Sequence, residues 1–147
     1  MAYWLLKTEP ERYAFADLAR EGTTAWTGVK NPQAQRNLRA MRPGDRAVVY
    51  HSGEKRAVGL AEVVKPAYAD PSAGAGDLVC VDVRALEPLP TPVPLGAIKL
   101  EPAFAGSALL RQGRLSVVPL SPAEWSALTE LADVIAKTGG LRPDAPF

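Results

Sequence analysis

Residues 46–64, RAVVYHSGEKRAVGLAEVV, constrain this chain more than any other stretch. Two runs rich in β-branched and aromatic residues, 46–52 and 56–64, flank Gly53-Glu54-Lys55, a glycine-containing loop of hairpin length. In the second run Ala57, Gly59 and Ala61 fall on one face, because side chains alternate along a strand. Three small residues in that row predict that another element approaches closely there. The chain is therefore built on an antiparallel pair with one face kept clear for a neighbour.

Other segments extend that pair. YWLLK at 3–7 reads as a short buried strand, ended by Glu9-Pro10, since a residue before proline is driven out of helix. LVCVDVRAL at 78–86 and RLSVVPL at 114–120 read as further strands. EPLPTPVPLG at 87–96 carries too many prolines for a central strand, which predicts an edge or an extended connection. Gly22 to Thr24 reads as a turn, and PAYADPSAGAG at 66–76 as a surface loop.

Helices fall between the strands. Residues 13–20 place Phe15, Leu18 and Ala19 on one side of a short helix. Asn31 as cap and Pro32 at the first position start a helix that runs to Met41, and Arg42-Pro43-Gly44-Asp45 stops it. SALLRQG gives one or two turns. Ser121, Pro122 and Glu124 form a capping box for a last helix burying Leu128, Leu131 and Ile135. The result is an α+β fold with a small curved sheet or barrel. With 147 residues the chain makes one domain, taken as 1–137, and the tail from 138 to 147 is expected to be flexible.

Several function classes fall away. Cys80 is the single cysteine, so no internal disulfide forms, and with His51 as the single histidine a structural zinc site of four Cys/His ligands cannot be built. The apolar run at the start meets Lys7 and Glu9 too soon for a secretory signal, and no apolar stretch is long enough to span a bilayer. A cytoplasmic protein with no membrane partner is expected. Neither a phosphate-binding glycine loop, a nucleophile elbow nor a zinc-protease motif is present. His51 and Ser52 are adjacent on a strand and point to opposite faces, so they are not a base and its nucleophile. Glu9 and Asp70 have no evident carboxylate partner, and Cys80 reads as core. No catalytic constellation, cofactor or metal is expected.

Charge is the positive signal. Between residues 30 and 46 the chain carries Lys30, Arg36, Arg39, Arg42 and Arg46 against a lone acid, Asp45. With a net charge of +1 overall, the remainder is net acidic. Such a stripe is either a solvated helix face or a surface for phosphates. Trp26 lies just ahead, with Gly28 two residues on. It is either a packing residue or a rim ring that stacks a flipped base. Its polar surroundings favour the rim. Trp4 and Trp125 read as core or groove lining.

WLLKTEP at 4–10, WTGVKNPQAQRNLRAMRPGD at 26–45, YHS at 50–52, GLAEVV at 59–64 and RLSV at 114–117 together resemble the EVE domain. That family is similar in fold to PUA domains and to YTH readers of methylated adenine. The resemblance runs from Tyr3 to about Leu131 and implies a PUA-like mixed barrel of five to six strands with helices around it. It also implies recognition of a modified base in DNA or RNA within a pocket. Carried over by position, Trp26 becomes the stacking wall, and Thr8, Glu9, Asn31, His51 and Ser52 the polar edges. Lys30, Arg36 and Arg39 would hold the backbone, and Arg114 would support the pocket or reach a phosphate. His51 and Ser52 can both face the pocket only at a strand end or bulge; a structural histidine is the other reading. The resulting expectation is a monomeric binding module for modified nucleic acid. Its rivals are an enzyme on a modified base using Glu9 or His51, and a small-ligand or protein-interaction domain.

Overall fold

A computed structural model describes residues 1–74 and 76–138. Six strands form one mixed sheet: β1 (Tyr3–Thr8), β2 (Thr23–Trp26), β3 (Arg46–His51), β4 (Arg56–Ala69), β5 (Val79–Pro94) and β6 (Val117–Leu120). Their spatial order is β2-β5-β4-β3-β1-β6, with β1 and β3 parallel and the other pairings antiparallel. The helices are α1 (Phe15–Glu21), α2 (Pro32–Ala40), α3 (Leu95–Ile98), α4 (Ala108–Arg111) and α5 (Pro122–Lys137). Among the described residues no helix is long and apolar enough to cross a membrane.

The hairpin at 46–64 forms as its pattern predicts, and it lies in the middle of the sheet. The close neighbour of Gly59 is the Phe15 ring of α1: a Cβ on Gly59 would lie 2.4 Å from Phe15 Cε1. Leu18 is fully buried on the same helix, whereas Ala19, expected beside it, is exposed. Asn31 caps α2 by accepting from the Ala34 N–H at 2.9 Å. Ser121 and Glu124 make the reciprocal capping box of α5, which buries Leu128 and Ile135.

Two expectations need correction. Thr23 and Thr24 belong to strand β2 instead of a turn, and Gly22 alone makes the turn with φ +83°. Strand β4 runs on through Pro66 to Ala69, so the loop begins at Asp70. The proline-rich segment at 87–94 has the edge position expected of it, as the end of β5 that β2 does not cover: β2 pairs only with residues 81–84 of that strand. The prolines therefore lie in the half of β5 that has one neighbour, where N–H positions on the outer side carry no ladder bond.

The barrel is not closed. β2 is bonded to β5 and β6 to β1, and among the described residues no ladder joins β2 to β6. Both edge strands have only four residues. Of the tail expected to be flexible, residues 139–147 lie outside the described residues.

Candidate functional site

The seam left open between the sheet edges holds a cavity of about 500 Å³, within the range of small-molecule pockets. One side is β2 and the loop after it: Thr24, Ala25, Trp26, Thr27, Gly28, Val29 and Lys30. The other is the end of β1, the turn that follows, and Ser116: Lys7, Thr8, Glu9, Arg12 and Tyr13. Lys7 N–H donates to the Ser116 carbonyl at 2.9 Å, tying that wall to the approach of β6.

Each wall is fixed by identifiable bonds. Gly28 adopts φ +79°, a conformation that a side chain disfavours, and its N–H donates to Asp70 Oδ2 at 2.9 Å. Burial pushes the Asp70 carboxyl up, but donors from Ser72 and Gly28 outweigh it and hold the group below its ordinary value. Gln35, buried on α2, donates to the Val29 and Val79 carbonyls and accepts from the Val79 N–H. One amide thus binds the loop after Trp26 to both α2 and β5. On the opposite wall Thr8 Oγ1 donates to the Tyr13 carbonyl at 2.7 Å.

Trp26 is buried, with 7% of its surface exposed, and is not the rim residue its polar neighbours suggested. The Tyr13 ring packs edge-on against it, centroids 6.1 Å apart at 84°. The indole is a rigid wall, held from behind by the core. Lys7 Nζ reaches the Gly113 carbonyl at 2.9 Å, and partial burial lowers its pKa. Lys7, Arg12 and Lys30 make the cavity cationic against one acid, Glu9.

The structure brings together Trp26, Thr8, Glu9 and Lys30 of the residues named from sequence, and separates the others. Ser52 does not line the cavity; its Oγ donates to Glu9 Oε1 at 2.7 Å and so holds that carboxylate. His51 is a structural histidine. Its Nε2 accepts from the Phe15 N–H at 3.1 Å, which puts the proton on Nδ1, where it faces Glu54 Oε1 at 2.7 Å. Asn31 is occupied as the α2 cap, just past Lys30. Arg114 is exposed and does not line the cavity, two residues from Ser116.

Lys30 also borders a second depression with Pro32, Gln35, Arg36, Arg39, Asp77 and Leu78. Three of the five clustered cations thus line this depression, which meets the cavity at Lys30. Arg39 is steadied by donating to the Asp77 carbonyl. Arg46 turns away to Glu62 at 3.9 Å. Sequence reasoning missed Lys7, Arg12, Tyr13, Thr24, Thr27, Ser116, Gln35 and Asp70. Lys7 and Arg12 flank the quoted Thr-Glu-Pro segment and could have been found there; the reach of Gln35 and Asp70 is purely tertiary. Among the described residues no group of three or more metal-binding side chains is assembled.

Comparison with known proteins gives this geometry its context. Mouse thymocyte nuclear protein 1 is 32% identical over 166 aligned residues, covering 89% of this chain and 74% of that protein. An NMR structure of a Rhodopseudomonas palustris protein superposes with a TM-score of 0.85 at 43% identity, covering 92% of this chain and 95% of that one. The crystal structure of human THYN1 in complex with DNA containing 5-methylcytosine superposes with a TM-score of 0.81 at 29% identity, covering 90% and 98%. The EVE domain family profile matches residues 2–131. This chain belongs to the EVE domain family.

Proposed function

We propose that this protein binds DNA carrying a modified base, taking the base into the cavity against Trp26 while the adjoining cations hold the strand. The observation that carries the reading is the cavity itself: a rigid, buried indole wall beside a cationic mouth. Lys30 stands at the junction of cavity and groove, where a strand would pass from base to phosphate. A human relative of the same fold was solved with 5-methylcytosine DNA, which directs the choice toward that base. The role is binding without turnover. Both ring nitrogens of His51 are engaged, and Glu9, held by Ser52, is the one carboxylate lining the cavity, with no histidine or second acid beside it to complete an acid–base pair.

The test is a binding titration of strands differing in one base, cytosine or 5-methylcytosine, as DNA and as RNA. Trp26→Leu should lose about tenfold or more in affinity for the modified strand, since stacking on an aromatic ring is worth about 1–3 kcal/mol per base. Arg36→Ala and Arg39→Ala should weaken both strands alike and reduce the salt slope by about one each. A Trp26→Leu protein that stays folded and still prefers the modified strand would overturn the stacking role. A change in base mass after incubation would overturn the binding-only role.

A further inference from the structure

The open seam leaves one strand edge facing the cavity, and we propose that the backbone of Ala25 reads the hydrogen-bonding edge of the bound base. This deepens the base-binding reading and rests on it. In an antiparallel ladder, residues alternate between those whose N–H and C=O point at the partner strand and those whose groups point away. The Ala85 N–H donates to the Gly22 carbonyl at 2.8 Å, which sets the phase. From Thr23↔Arg84 to Trp26↔Val81 the register then runs without a shift. Thr24 and Trp26 therefore turn their backbone groups to β5, and Thr23 and Ala25 turn theirs outward. Of those two, Ala25 lines the cavity. Among the described residues no backbone or side-chain group outside the sheet bonds the Ala25 N–H or C=O.

An extended residue presents its N–H and C=O side by side, a donor next to an acceptor. Cytosine presents the complement, the N3 acceptor next to the N4 amino donor. The Ala25 N–H would donate to N3, and the amino group would donate to the Ala25 carbonyl. A methyl at C5 lies beyond the amino group and stays clear of both bonds, so modification and base identity are read by different walls. Thymine has the same ring and the same methyl with the edge reversed: O4 accepts and N3–H donates. Placed in the same way, it sets acceptor against acceptor and donor against donor.

The experiment uses single strands carrying cytosine, 5-methylcytosine, thymine or 5-methyl-2-pyrimidinone, which lacks the amino group, at one position. The full chain should bind 5-methylcytosine about tenfold or more tighter than thymine, and loss of the amino group should cost a similar factor. Ala25→Pro removes the N–H at an edge position that the ladder does not use, where proline is tolerated. It should keep its circular dichroism and melting transition while the preference over thymine collapses. Equal binding of thymine by the native chain, or an unchanged preference in folded Ala25→Pro, overturns the proposal. If that variant does not fold, the pyrimidinone decides: full affinity without the amino group overturns it. Preference for 5-methylcytosine over cytosine without rejection of thymine removes this inference and leaves the base-binding reading; no binding to any strand removes both.

Discussion

Asp45→Asn is expected to lower the melting temperature by about 10 °C at neutral pH. The side chain is 4% exposed and accepts three hydrogen bonds, each 3.0 Å long: Oδ1 from the Ala2 N–H, Oδ2 from the Trp4 indole N–H and from the Arg42 N–H. Burial alone would raise its pKa, but these donors more than offset it and hold the carboxyl below its ordinary value. Asparagine keeps the shape and turns one end into a donor facing donors. Bonds to a charged acceptor are worth about 1.5–3 kcal/mol each, and a buried donor left unpaired adds its own cost. A loss of about 3 kcal/mol follows, and in a domain this size each kcal/mol moves the transition by about 2–4 °C. The pH dependence has a definite sign. A carboxyl with a depressed folded pKa stabilises fully above its unfolded pKa of about 3.9, and that contribution is lost as pH falls toward the folded value. The gap between native and variant should hold from pH 7 to about 5 and narrow below about 4. Melts across that range check it; a gap unchanged down to pH 3 would remove the carboxylate from the account.

The same aspartate illustrates what the sequence could and could not convey. Counted along the chain, Asp45 is a lone acid among cations. In the fold it is spent internally, joining β1 to the turn after α2, so it does not neutralise Lys30, Arg36 or Arg39 in the groove. Local signals were legible where the physics is local. The Asn31 cap, the Ser121–Glu124 box and the hairpin each depend on residues a few positions apart. The proline-rich half of β5 was readable as an edge, but not as part of a strand whose other half is covered by β2. That cover comes from residues some sixty positions earlier in the chain. Trp26 was misplaced at a rim because polar neighbours in sequence say little about what packs across a seam. Ser52 and His51 looked like cavity edges, yet their partners, Glu9 and Phe15, come from the turn after β1 and the start of α1. The cavity is assembled from β1, β2 and the approach to β6, which no single stretch reveals.

Gly59→Ala should be comparably damaging, by about 1–3 kcal/mol, although it adds only one methyl group. At 2.4–2.6 Å from three atoms of the Phe15 ring, that methyl has no room. The ring is buried in the core, so it has no free space to swing into, and the Phe15 backbone N–H is tied to His51. Relief must come from lifting α1 off the sheet. That movement reaches the cavity, because Tyr13 stands two residues before Phe15 and packs edge-on against Trp26. The variant should therefore melt lower and also bind modified DNA more weakly, though no residue of the cavity has changed. Phe15→Leu alone should destabilise by leaving space above Gly59. Combined with Gly59→Ala it should lose less than the two single changes added together, since each relieves the defect of the other. Thermal melts of the four proteins give the coupling directly. Strict additivity would mean that the methyl and the ring do not meet, and that the small-residue face of β4 is not what seats α1 beside the cavity.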